Sequence, residues 1–126
     1  VQEKPMSAQK IDKGEWVPFF DTLTRTLVGV QAEVEVASLD LGDQIENEWQ
    51  PLIGIAYDHK NDLIEIALDS HDHVISSPRE VYVDYGVGGL AAIAIVDAEE
   101  KRQIVKLKEL LALPAPRQRA AQGQAR

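Results

Sequence analysis

Residues 42–69, Gly42-Asp43-Gln44-Ile45-Glu46-Asn47-Glu48-Trp49-Gln50-Pro51-Leu52-Ile53-Gly54-Ile55-Ala56-Tyr57-Asp58 followed by His59-Lys60-Asn61-Asp62-Leu63-Ile64-Glu65-Ile66-Ala67-Leu68-Asp69, decide the fold. Leu52–Tyr57 and Leu63–Leu68 are β-branched and aliphatic runs on either side of a five-residue polar loop, Asp58–Asp62, suited to a hairpin. A shorter strand is expected before them, from Ile45 to Trp49, with Pro51 as the boundary. The stretch is acidic and apolar. It contains no nucleophile–base pair and no glycine-rich phosphate loop.

Working outward, the same alternation recurs. Ala32–Val36 interleaves apolar residues with Glu33 and Glu35, the period of a strand with one wet face. Val81, Val83 and Tyr85 alternate after Pro78, Gly86, Gly88 and Gly89 supply a turn, and 91–96 and 103–107 form a last pair around 97–101. Loops this short do not accommodate parallel crossovers, so the connections are antiparallel. Leu110–Leu113 either extends the last strand or makes one helical turn.

Upstream of the strands the period is 3.6. Trp16, Phe19, Phe20, Leu23 and Leu27 make one apolar stripe, with Asp21, Thr24 and Arg25 largely off it. Asp12 and Glu15 have the spacing of a capping box, and Ile11 and Trp16 that of a hydrophobic staple. Pro18 points to a short first turn ahead of a regular helix from about 17 to 28, and Gly29 is its stop.

These elements predict an α+β fold, one N-terminal helix packed on a mostly antiparallel, curled β-meander of six to seven strands. Residues 1–10 read as a loose arm, 11–113 as a single domain, and 114–126 as a disordered tail without apolar periodicity.

With 126 residues and 44% hydrophobic content, the chain is long enough to bury a core. All 21 acidic residues precede Pro114, so the first 113 residues carry a net charge of −11. That surface repels phosphate backbones and anionic lipid, which excludes nucleic acid and membrane surfaces as partners. The lack of cysteine fits the cytoplasm and removes thiolate chemistry. The first ten residues lack the apolar core of a secretory signal.

Several residue groups invite a site. His71 and His73 are spaced to share one face of a strand and one metal ion, though Asp-Ser-His-Asp-His is also ordinary loop composition. Asp40, Asp43, Glu46 and Glu48 crowd one segment, and Asp58, Asp62 and Glu65 flank the hairpin. A catalytic pair needs two such carboxyls across one cleft, which spacing alone does not establish. The glycines at 86–89 lack the Lys-Ser/Thr of a phosphate loop, and Ser76-Ser77 lacks a hydrolase elbow. No cofactor is expected, and no residue is assigned a catalytic role. Trp49, with Tyr57, Val83 and Tyr85, is the expected rim of a pocket or interface.

The helix with Trp16, Phe19-Phe20 and Leu23, the Glu33–Val36 strand, Gly42-Asp43-Gln44 and Trp49-Gln50-Pro51-Leu52 resemble a family of small uncharacterised bacterial proteins. Gly54–Asp58 and Ile64–Leu68 carry the same resemblance. It covers roughly residues 11–113 and implies a one-domain bacterial protein with no assigned activity. The expected function is a non-enzymatic protein-interaction or structural module, a homodimer pairing through Val81–Tyr85. The alternatives are a small-molecule-binding domain or enzyme with a pocket between helix and sheet, and a metal site at His71 and His73.

Overall fold

The structure, a computed structural model, describes residues 8–38 and 42–114, and only the backbone for 42–47. The described residues form one α-helix and one eight-stranded antiparallel sheet. In chain order the elements are β1 (Ala8–Ile11), a 3₁₀ turn (Lys13–Glu15), α1 (Trp16–Thr26), β2 (Gln31–Ser38), β3 (Gly42–Asp58), β4 (Leu63–Leu68), β5 (Asp72–Ser76), β6 (Pro78–Gly86), β7 (Gly89–Asp97) and β8 (Arg102–Leu111). The spatial order is β1-β6-β7-β8-β2-β3-β4-β5.

The helix forms where the stripe predicts it. Trp16, Phe19, Phe20 and Leu23 are its buried residues, and Leu27 packs on the core just past its end. Pro18 falls within the first turn, where its missing N–H removes no helical bond. The capping box does not form. Glu15 N–H bonds the Asp12 carbonyl instead, and no side chain caps the 3₁₀ turn. The Trp16 indole donates to the Ile11 carbonyl at 3.2 Å, which ties the helix start to β1.

Two expected strands, Ile45–Trp49 and Leu52–Tyr57, are one 17-residue strand, β3. Pro51 does not break it. Gln31 of β2 lies opposite Pro51, and β2 ends there, so the proline sits where the ladder changes partner. Residues up to Pro51 pair with β2 and those from Leu52 onward with β4. The strand thereby carries the sheet around a bend. At the far end β5 passes into β6 through one residue, Ser77, whose φ of 53° makes the corner. The sheet curls on itself without closing, because among the described residues no strand joins β5 to β1.

Two strands were not legible as strands. Ala8–Lys10, expected in a loose arm, pair with Asp84–Tyr82 of β6. Residues 72–76, expected in an irregular polar segment, pair with Leu63–Ala67 as β5. β8 continues to Leu111, which settles Leu110 in favour of the strand.

The curled inner face and the helix stripe enclose one core. Ile64, Ile66, Ile93, Ile95, Val34, Val81, Leu23 and Phe20 are among its fully enclosed members. Val83 belongs to it at 1% exposure, and β6 is paired on both sides, to β1 and to β7. Val81–Tyr85 is therefore neither an edge nor an exposed face. Its alternation reflects a strand in the middle of a sheet.

Candidate functional site

Beyond Pro51, β3 loses β2 as a neighbour, and α1 takes its place. Leu52 N–H bonds the Val30 carbonyl, and the Thr24 hydroxyl bonds both backbone groups of Ile55 at 3.0 Å. The helix covers what would otherwise be an unpaired strand edge. A register shift between Leu52 and Gly54 leaves Ile53 as an extra residue that projects into solvent.

Because α1 turns its bulky stripe inward, Val17, Asp21 and Thr24 line its flank. With Ile53, Ala56, Glu65 and Ala67 they form an open groove of about 350 Å³. The sheet face that floors the groove extends across β4 onto β5, since Ala56, Glu65 and Val74 share one row of the sheet and Gly54, Ala67 and Asp72 the next. Val17, Ile53 and Val74 are 48%, 56% and 50% exposed, which concentrates apolar surface along this face.

Between these apolar residues stand two carboxyls. Glu65 and Asp72 are diagonal neighbours on adjacent strands. A hydrogen bond to Asp72, and then the charge of Asp72, hold the Glu65 carboxyl above its ordinary value. Among the described residues neither is in an ion pair with a lysine or arginine. An adjacent acidic pair favours an incoming cation. Its position on an open face differs from the enclosed clefts in which paired carboxyls serve as acid and base.

Of the expected rim residues, Tyr57 alone reaches the groove. Its hydroxyl donates to Asp62 at 2.8 Å, and its ring meets Trp16 edge-on with centroids 5.0 Å apart. Burial first, and the Asp62 contact second, raise its pKa above the usual tyrosine value. Lys13 Nζ lies 5.4 Å from the Trp16 centroid and 5.9 Å from that of Tyr57, so this corner is a packed aromatic–cation cluster. Trp49 is exposed at a different place, on the first half of β3, with Lys108 Nζ 6.0 Å from its ring centroid. Tyr85 donates to the Pro114 carbonyl at 2.9 Å, and burial raises its pKa. Val83 is core.

The two histidines engage different partners. His71 Nδ1 lies 2.9 Å from the Ser70 hydroxyl, which also bonds Gln50 Oε1, while His73 Nε2 contacts Gln103 Oε1. His71 precedes β5, and His73 turns toward the interior beside Gln103 of β8. Among the described residues no group of three or more His, Cys, Asp or Glu is arranged to hold a metal. Asp58 ends β3 and caps the hairpin turn, its Oδ1 accepting from the N–H groups of Lys60 and Asn61. Asp40 and the side chains of Asp43 and Glu46 lie outside the described residues.

Sequence reading did not single out Val17, Asp21, Ile53 or Val74 for the site. The available signal was the alternation Asp72-x-Val74-x-Ser76, which the polar composition of the segment concealed.

Fold and groove define a one-helix α+β domain built on an open antiparallel sheet. The chain belongs to a family of unknown function, DUF5335, whose model matches residues 7–116. It is similar to an uncharacterised protein of Aquifex aeolicus (strain VF5), 39% identical over 110 residues, which span 86% of this chain and 99% of that one. No solved structure matches it. Among the described residues no helix is long and apolar enough to cross a membrane.

Proposed function

We propose that this domain is a non-enzymatic, cytoplasmic protein-interaction module whose contact face is the outer surface of β3, β4 and β5 beside α1. Its occupant is a segment of another protein that presents apolar side chains together with a lysine or arginine. The observation that carries the reading is the placement of the Glu65–Asp72 pair among the exposed Val17, Ile53 and Val74. Apolar surface supplies affinity, while the acidic pair selects a cation and speeds encounter. The cysteine-free composition fits a reducing compartment. Val81–Tyr85, the expected homodimer surface, lies on a strand paired on both sides, so the contact face is placed elsewhere. Self-association falls to the same test as any other partner.

Selection from a random-peptide display library against the full chain tests the proposal. Selected peptides should place Lys or Arg beside apolar residues, and they should bind Ile53→Lys and Glu65→Lys variants at least tenfold more weakly. Acidic or neutral peptides, or peptides that bind both variants undiminished, would overturn it. Light scattering of the chain alone at micromolar concentration reports whether a second copy already fills the face.

A further inference from the structure

The two lateral borders of the β3–β4–β5 layer are treated differently by the fold. On the β3 side, α1 lies along the strand and Thr24 bonds both backbone groups of Ile55. On the β5 side nothing equivalent is present among the described residues, and β5 ends the strand order. The other terminal strand, β1, carries Lys10, ion-paired to Glu80 at 3.4 Å. β5 reads Asp72-His73-Val74-Ile75-Ser76. It has no proline, lysine or arginine, and no register shift bends it away from pairing.

The hydrogen-bond phase of β5 specifies what its open side presents. Leu68 N–H bonds the His71 carbonyl and Ser77 N–H bonds the Asp62 carbonyl, both at 2.9 Å. Opposite residues in an antiparallel ladder alternate between bonded and non-bonded pairs. Counting in twos from His71 and Ser77, His73 and Ile75 direct their backbone groups to β4. The N–H and C=O of Asp72, Val74 and Ser76 therefore point away from it. Val74 and Ser76 border a groove of about 260 Å³ whose lining also includes Ala98, Glu99, Lys101 and Gln103 of the β7–β8 region. Ala98 N–H bonds the Ser77 carbonyl at 2.9 Å, which stations the β7–β8 turn beside the Ser76 end. The opening suits a single extended segment better than the flank of a folded domain.

We infer that β5 is a docking edge for strand addition, taking an extended segment of a partner protein as an antiparallel ninth strand. The inference rests on the interaction reading above and adds the mode and the sequence preference. Alternate side chains of the added strand share the outer face with Ser76, Val74 and Asp72. Cross-strand pairing favours, in partner order, a serine or threonine opposite Ser76, a β-branched residue opposite Val74, and a lysine or arginine opposite Asp72. The cation then also lies near Glu65. Binding is by main-chain bonds to Asp72, Val74 and Ser76, so the intervening partner residues are less restricted.

The test uses the full chain and a synthetic five-residue peptide, acetylated and amidated, with threonine, valine and arginine at its first, third and fifth positions and threonine between. Its central N–H faces β5, and those of the second and fourth residues face away. Methylating the central peptide nitrogen should weaken binding at least tenfold, and methylating the second or fourth should change it less than about twofold. Isotope-edited NMR should show slowed amide exchange at Asp72, Val74 and Ser76 on binding. A peptide that binds with equal tolerance to methylation at every position, yet is weakened by Ile53→Lys, overturns strand addition and leaves the contact-face reading standing. No binding at millimolar peptide also overturns it, and the display selection then decides the broader reading separately. A dimer of the chain alone that the peptide dissociates would overturn the assignment to a different partner, in favour of a second copy.

Discussion

The hydroxyl of Thr24 is the backbone partner of Ile55, accepting its N–H and donating to its carbonyl, each at 3.0 Å. One side chain thus does for β3 what β2 does before Pro51. The arrangement requires glycine at position 54. A Cβ there would stand 2.8 Å from Thr24 Cγ2, closer than side chains approach.

Thr24→Val keeps the shape and removes the hydroxyl, leaving both Ile55 groups without a partner. It should destabilise by about 1–3 kcal/mol in urea unfolding, while Thr24→Ser retains most of the stability. Gly54→Ala should cost about 1–3 kcal/mol alone and clearly less in the Thr24→Ser background, where the offending methyl is gone. Additive costs in that double-mutant cycle would contradict the close approach.

Phe20 is 1% exposed and meets Phe19 at a centroid distance of 5.7 Å on the buried side of α1. Truncation to alanine should lower stability by about 3–5 kcal/mol, read by denaturant midpoint with an unchanged slope. A near-neutral result would refute the packing of helix on sheet.

Glu65 is held above the ordinary glutamate value of 4.5 by Asp72. The folded state therefore keeps this proton longer than the unfolded chain does. Its contribution to stability is complete below the unfolded value and is lost as pH rises through the raised folded value. Relative to Glu65→Gln, the wild type should lose stability across that window, and a cationic peptide should bind more tightly as pH rises through it. An unchanged difference between the two proteins from acid to neutral pH would remove the Glu65–Asp72 interaction as its basis.

His71 contacts Ser70 and His73 contacts Gln103, in surroundings that do not converge on one point. Zinc should leave the melting temperature unchanged, because an ion stabilises only by binding the native state more tightly than the unfolded one. An ion retained stoichiometrically through purification, and lost in a His71→Ala/His73→Ala variant, would show a site that these contacts conceal.

Periodicity alone determined the helix stripe from Trp16 to Leu27 and the strands whose inner residues are Val34, Ile55, Ile64, Ile66, Ile93 and Ile95. Each of those side chains is apolar because it faces the core, so the pattern records the burial directly. The antiparallel connections followed from short loops. Tertiary structure decided the rest. β1 and β5 are strands because Val81–Asp84 and Leu63–Ala67 offer them ladder bonds, although their own composition is that of loops. Pro51 joins two strands into one because the ladder changes partner there, an event with no local signature. The groove brings Val17 and Asp21 of α1 to Glu65 of β4 and, along the same face, to Asp72 and Val74 of β5. Those residues converge only once the Thr24–Ile55 bonds lay the helix along β3, and no spacing within the chain encodes that placement.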